Sequence, residues 1–184
     1  FNVFLDEIKT IEDRDNQINK TLDNVLKNDL SVEDYRRLAS FYTPEVFVQI
    51  LKDRGITDQN TLDYVKFLTE DAISITNVFL ENNISLDGEV ANKYIQNEIK
   101  LNQLRSEKQT LENLKKEGKY YSIEKLDKVD AEIDAIIKDR NLNLESDINN
   151  ERQTQAALAI DRAIEQRKKA GGEVVSYKTK KGLE

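Results

Sequence analysis

Apolar residues recur at spacings of three and four along most of the chain, a pattern typical of amphipathic α-helices. The first segment carries such a stripe with one polar gap, at Asp15: its members are Phe1, Phe4, Ile8, Ile11, Ile18, Leu22 and Val25. A polar residue inside a heptad stripe can set register or partner number. We favour the alternative that the stripe drifts around the helix and leaves Asp15 at its edge.

Short helices with clear boundaries follow the first segment. Ser31, Thr43 and Asp58 are side chains that cap helix starts, and Gly55 is a residue that ends a helix. The helix after Asp58 has the longest apolar stripe, made of Leu62, Val65, Leu68, Ala72, Ile75 and Phe79. Residues 31–84 also hold most of the aromatic side chains, so we expect an aromatic core there.

Two long helices come next and are separated by Gly118. The first runs over about residues 86–117 with a heptad stripe of Val90, Tyr94, Leu101, Leu104 and Leu111. Ser122 caps the second, whose pattern continues to Ala170. Because asparagine competes for backbone hydrogen bonds, we expect a bend or weak point near residues 141–143 and 149–150. The pair predicts an antiparallel, coiled-coil-like αα-hairpin.

The pattern changes after Gly171 and Gly172. Residues 173–179 favour β-structure, and two interpretations stay open for them. The segment is either a disordered tail or an arm that adds a strand to the sheet of a neighbour. Three of its side chains are candidate contact residues: Val174, Val175 and Tyr177.

The predicted fold is all-α: an elongated helical bundle with a long antiparallel αα-hairpin and a non-helical C-terminal tail. We expect three regions along the chain. Residues 1–84 form a helical region with short helices and an aromatic core, residues 85–170 form the long hairpin, and residues 171–184 form a flexible or arm-like tail.

Composition narrows the chemistry that this chain can perform. Cysteine and histidine are both absent, which excludes thiol catalysis, histidine general bases and the usual zinc and haem sites. The net charge of −7 argues against nucleic acid as the main ligand. Residues 165–184 carry a local excess of cations that can touch an acidic partner, although a solvated helix end explains them more simply. No apolar run approaches the length of a membrane span.

Carboxylates offer the remaining routes to chemistry. Asp127, Asp130 and Asp134 share one helix face, where they could bind a divalent cation. Lysines lie beside them and no glycine-kinked loop wraps an ion, so we favour a solvated charged face. Glycoside hydrolysis needs a carboxylate pair in a walled pocket, and no pair stands out among the 35 acidic residues. No phosphate-binding glycine motif is present. We therefore predict no catalytic, cofactor-binding or metal-binding residues.

The tip of the predicted hairpin carries two adjacent tyrosines, Tyr120 and Tyr121. Both are candidate contact residues. They either form an exposed contact patch or fold back over the end of the hairpin, and we favour folding back because tyrosine buries its ring and keeps its hydroxyl in water.

These features favour a non-enzymatic structural or scaffolding protein that works through helix–helix contacts, with itself or within a larger assembly. The alternatives are a helical adaptor or effector that binds a host protein and a small carboxylate-dependent hydrolase. The composition resembles that of helical accessory components of assemblies such as phage particles. Lysine, asparagine and isoleucine are abundant and use AT-rich codons, which is typical of many bacteria, their phages and some parasites. Because the chain begins with Phe1, we expect it to be a fragment, a processed product or a chain whose start is absent.

Overall fold

The computed structural model describes residues 2–40 and 43–171, with side chains described from residue 10. Nearly all of these residues are helical and the described ranges contain no β-strand, which confirms the all-α prediction. In chain order the helices are α1 (Asn2–Leu26), α2 (Val32–Ser40), α3 (Pro44–Asp53), α4 (Gln59–Glu81), α5 (Glu89–Lys116) and α6 (Ile123–Lys169).

Three helices begin at side-chain caps that the sequence predicts. Ser31, Asp58 and Ser122 each accept a hydrogen bond from the backbone N–H three residues later, at 3.1–3.2 Å. Each bond satisfies one of the N–H groups that a helix start leaves unpaired. Thr43 precedes α3 without such a bond, and the proline at the first position of α3 needs none because it has no N–H.

One hydrophobic core joins the second half of α1 to α2, α3, α4 and the first half of α5. All six apolar positions of the predicted α4 stripe are buried in it. Tyr35 of α2 and Phe47 of α3 are fully enclosed. The rings of Phe79 and Tyr94 pack with their centroids 6.3 Å apart, which ties α4 to α5. Ile148 of α6 completes this core, so its packing spans most of the chain.

Among the described side chains of α1, those that join the core begin at Ile18. Ile18 and Leu22 are buried, whereas Ile11 is 58% exposed and Asp15 is exposed. A heptad falls only about 20° short of two full helical turns, so Ile11 and Ile18 lie on nearly the same side of α1. Drift of the stripe therefore does not explain Asp15. Asp15 is exposed because the helices of the main core, here called the body, do not reach this part of α1.

The two long helices form an antiparallel pair, as predicted. Lys108 of α5 pairs with Asp130 of α6 at 2.6 Å, and Glu98 pairs with Arg140 at 3.3 Å, so residue numbers fall on one helix as they rise on the other. Beyond the body, this pair has a second, smaller core of Leu101, Leu104, Val129 and Ile133. The turn between the helices contains Gly118, whose φ of 69° is in the left-handed region that favours glycine.

Helix α6 is unbroken over 47 residues and is about 70 Å long. It continues through residues 141–143 and 149–150, so the interruption expected at these asparagines is not found. Two contacts explain the difference. Asn143 donates to the Asp139 side chain at 2.7 Å, which engages its amide away from the backbone, and Ile148 packs into the core between the two asparagine stretches.

Candidate functional site

The hairpin tip presents one of its two tyrosines to solvent. Tyr120 is 91% exposed, whereas Tyr121 is half-buried. The expectation that the pair folds back over the hairpin is therefore wrong for Tyr120. Tyr120 lies in the turn between α5 and α6, and its ring stays uncovered there. Tyr120 stays a candidate contact residue.

The tail candidates Val174, Val175 and Tyr177 lie outside the described residues, as does the question of a strand-adding arm. The described part of the basic end consists of three cations in the last turn of α6: Arg167, Lys168 and Lys169. All three are exposed. Cations at this place interact favourably with the negative end of the helix dipole.

Beyond its last core contact at Ile148, α6 leaves the body. In residues 152–170, here named the α6 extension, every side chain is exposed except those of Gln155 and Ile164, which are half-exposed. Ile160 is 62% exposed and Leu158 is 47% exposed. The extension is roughly 28 Å long. It is the longest stretch in the described chain that presents apolar side chains without a partner.

A buried cluster of polar side chains links four helices inside the body. This polar cluster consists of Tyr35 on α2, Asp71 on α4, Glu98 and Asn102 on α5, and Arg140 on α6. The Tyr35 hydroxyl donates to Asp71 Oδ2 at 2.7 Å. The Asn102 amide donates to the same oxygen at 3.0 Å and also to the Tyr35 hydroxyl oxygen. Four helices are thus held in register by hydrogen bonds whose partners are far apart in sequence.

Glu98 is the chemically unusual member of the polar cluster. It is 7% exposed, hydrogen-bonds to the Asp71 carboxylate and accepts from Arg140 Nη1 at 3.3 Å. Burial first, and then the negative charge of Asp71, raise the pKa of Glu98 to about 7, while Arg140 and Arg105 oppose the shift. Two neighbouring carboxyl groups such as those of Glu98 and Asp71 avoid charge repulsion when they share one proton.

The tyrosine of the polar cluster is held in its neutral form. Burial raises the pKa of Tyr35 far above its usual range, and the neighbouring Asp71 charge adds to the effect. Asn102 Oδ1 is buried without a hydrogen-bond partner among the described residues. A buried, neutral tyrosine keeps its hydroxyl proton, which it donates to Asp71, while its ring packs in the core.

A carboxyl group with a pKa near 7 beside a carboxylate is suited to acid–base catalysis, but a substrate must reach it. One described cleft, of about 430 Å³, reaches the polar cluster at Arg140. Arg140 lines this cleft together with Asn82, Asn141, Leu144, Glu145, Ile148 and Asn149, whereas Glu98 and Asp71 do not line it. The carboxyl pair lies between packed helices, so its geometry suits a structural connection better than a reaction centre.

A second buried carboxylate serves the start of α2. Asp34 is fully buried and accepts from the Thr21 hydroxyl at 2.9 Å and the Asn24 amide at 3.0 Å, both on α1. It also accepts from the backbone N–H of Ser31 at 2.9 Å, which closes a reciprocal cap with that residue. The chain between α1 and α2 is thereby fixed, and the buried charge has its partners.

A third polar contact joins α5 to α6 where α6 leaves the body. The Tyr94 hydroxyl donates to Asp147, and Lys93 lies 3.5 Å from the same carboxylate. Burial and the Asp147 charge raise the pKa of Tyr94. The Lys93 ammonium also lies 5.0 Å from the centre of the Tyr94 ring, a cation–π distance. This contact fixes the direction in which the α6 extension departs.

The three aspartates considered for a metal ion lie on α6 near the hairpin tip. Asp130 pairs with Lys108, whereas Asp127 and Asp134 are exposed. The described residues contain no group of three or more aspartate or glutamate side chains placed to hold a metal ion.

Sequence reasoning missed the polar cluster. A signal was present, because Glu98 and Asn102 stand three and seven residues after Ile95, at the spacing that otherwise marks the buried face of α5. The pattern does not reveal their partners, since Asp71 and Tyr35 lie on other helices.

Comparisons with known proteins found no relative of this chain. No family model, curated protein or solved structure matches the chain. None of the described helices is both long and apolar enough to cross a lipid bilayer.

Proposed function

We propose that this chain is a non-enzymatic structural or scaffolding protein that acts through helix–helix contacts within a larger assembly, of which a phage particle or a bacterial complex is an example. The single observation that carries the proposal is the α6 extension. Its residues 152–170 leave the body as one helix and carry exposed alanine, isoleucine and leucine side chains.

The physical reason is that the α6 extension gains little stability from packing against the described part of this chain. Helical stability in proteins comes mostly from packing an apolar face, and a short helix without packing is marginal in water. The α6 extension has no packing partner within the described chain. A partner helix that covers its apolar side chains would supply the missing burial, at about 25 cal/mol per Å² of apolar surface.

Two alternatives differ from this proposal, one in its partner and one in its site. A helical adaptor or effector would use the same α6 extension and differ only in its partner, a host protein. A small carboxylate-dependent hydrolase would use Glu98 and Asp71, and the raised pKa of Glu98 favours it. Glu98 is buried, Asp71 is half-buried and neither lines the described cleft, which argues for the structural function over the hydrolase.

The test is the mass of the purified full chain in solution, measured by light scattering across a wide dilution series. We expect a mass above the 21.3 kDa of one chain, falling toward that value on dilution. A chain that stays at 21.3 kDa at every concentration would overturn self-association and transfer the α6 extension to the adaptor alternative.

A further inference from the structure

The exposed apolar side chains of the α6 extension are concentrated on one side. At 100° per residue, Ala156, Ile160, Ala163 and Ile164 fall on one face of the helix. A shallow cleft of about 370 Å³ lies on this face and is lined by Asn149, Arg152, Gln153 and Ala156. The extension thus has one apolar face with a concave surface at its body end.

The extension carries an excess of positive charge, with five bases and two acids and thus a net charge of +3. Arg152 and Arg167 fall on the apolar face, one toward each end, whereas the other charged residues fall outside this face. Leu158 lies on the opposite face and supplies a matched apolar control position. The apolar face and its two arginines therefore fit a partner that combines an exposed apolar side chain with carboxylates.

The first half of α1 has those properties. Its residues 10–17 are all exposed and carry three acids and one base: Glu12, Asp13, Asp15 and Arg14. Ile11 is on the side of α1 that is buried farther along the helix, yet it is itself exposed. The apolar stripe of α1 thus continues past the body without a cover, with the acidic Asp15 within it.

The two segments also match in length. Residues 2–17 of α1 extend for about 24 Å and the α6 extension for roughly 28 Å. Within one chain they do not cover each other, since Ile11 and Ile160 are both more than half exposed. Two helical segments of similar length, each with an exposed isoleucine and with net charges of −2 for residues 10–17 and +3 for residues 152–170, can bury these isoleucines against each other only in a pair of chains.

We infer that the α6 extension of one copy packs against the first half of α1 of a second copy. In a two-fold arrangement each chain gives one α6 extension and receives another, so the contact forms twice. Arg152 and Arg167 then lie beside the acidic side chains of α1, including Asp15 within its apolar stripe. This inference rests on the proposed function, because it names the contact through which the scaffold self-associates.

The experiment measures the dimer dissociation constant by light scattering for the wild-type chain and three variants. Ile11→Glu and Ile160→Glu place a charge in the contact, and Leu158→Glu places the same charge on the opposite face of the extension. We expect the first two to raise the dissociation constant about 100-fold or more, because each variant loses a buried aliphatic side chain in both copies of the contact and each loss is worth about tenfold or more. We expect Leu158→Glu to change it less than about threefold, because surface changes outside a contact have small effects. Circular dichroism verifies that each variant keeps its helices.

Cross-linking then identifies the partner segment. The chain has no cysteine, so Ile11→Cys and Ile160→Cys each introduce a single thiol. Both positions lie near the middle of their segments, so a bismaleimide reagent spans them in either helix orientation. We expect a mixture of the two variants to yield a covalent dimer that joins Ile11→Cys to Ile160→Cys, and a mixture with Leu158→Cys to yield far less.

Each outcome decides the inference. A dimer that Ile160→Glu leaves intact, or that Leu158→Glu dissociates, overturns the α1–α6 contact while self-association stands. Cross-linking in a double-cysteine chain that stays monomeric also overturns it, because the contact then lies within one chain. A wild-type chain that is monomeric throughout overturns both this contact and the self-associating scaffold.

Discussion

The polar cluster makes the stability of this protein depend on pH through Glu98. Its pKa is raised from 4.5 to about 7 by burial and by Asp71. The folded chain therefore holds a proton that the unfolded chain loses above pH 4.5. The stabilising effect is fully present below pH 4.5, declines as the pH rises to about 7, and is then lost.

The size of the effect follows from the same values. A pKa that moves from 4.5 to about 7 corresponds to about 3 kcal/mol of unfolding free energy. For a chain of 184 residues this equals a change of about 6–12 °C in melting temperature. The groups that face Glu98 are Asp71 on α4, Arg140 on α6 and Arg105 on its own helix.

The perturbation is Glu98→Gln. The amide is neutral at every pH, donates to Asp71 as the protonated carboxyl does, and offers an oxygen to Arg140. We expect the variant and the wild type to have similar unfolding free energies at pH 4.5. At pH 8 we expect the variant to be more stable by about 2–3 kcal/mol, since it lacks the buried charge beside Asp71.

The assay is urea unfolding followed by circular dichroism from pH 4.5 to pH 8, at a dilution where the chain is monomeric. Subtracting the wild-type free energy from that of the variant cancels every other titrating group. Glu145→Gln on α6 is the matched control, because Glu145 is exposed, and we expect a flat difference within about 0.5 kcal/mol. A Glu98→Gln variant that is less stable at pH 8, or a difference that does not vary with pH, would refute the reasoning.

Three further predictions address other parts of the chain. Leu68→Ala, in the fully buried middle of α4, lowers the unfolding free energy by about 2–5 kcal/mol in urea unfolding; a change below about 1 kcal/mol would contradict the packing described. Asp34→Ala lowers it by about 2–4 kcal/mol, because buried donors on α1 lose their acceptor, whereas exposed Glu33→Ala has little effect. A chain that ends at Glu151 keeps its melting temperature at monomeric dilution; a large drop would show that the α6 extension supports the body.

Helix positions in this protein are local properties and were predictable from the sequence. The caps at Ser31, Asp58 and Ser122 act within three residues, and the apolar stripe of α4 is entirely buried as its spacing predicts. Prediction failed at residues 141–143. There a side-chain bond from Asn143 to Asp139 and the nearby packing of Ile148 outweigh the poor helix propensity of asparagine.

The candidate site was less predictable because it depends on what covers each stripe. The same periodicity places Ile11 and Ile18 on one side of α1, yet only Ile18 is buried. At the hairpin tip, tyrosine chemistry alone favoured burial, and Tyr120 is exposed because no neighbouring helix reaches it.

The sequence by itself determined that the chain is helical, where its helices begin and end, and that α5 and α6 run antiparallel. Hydrogen bonds and caps within a helix join residues at most four positions apart, so a short stretch of sequence contains all the information they need. Only the tertiary structure decided that Glu98, Asp71 and Tyr35 share one buried cluster, since Tyr35 and Asn102 are 67 residues apart. It also decided where the body ends along α1 and α6, because burial depends on how many helices pack at each level of the bundle.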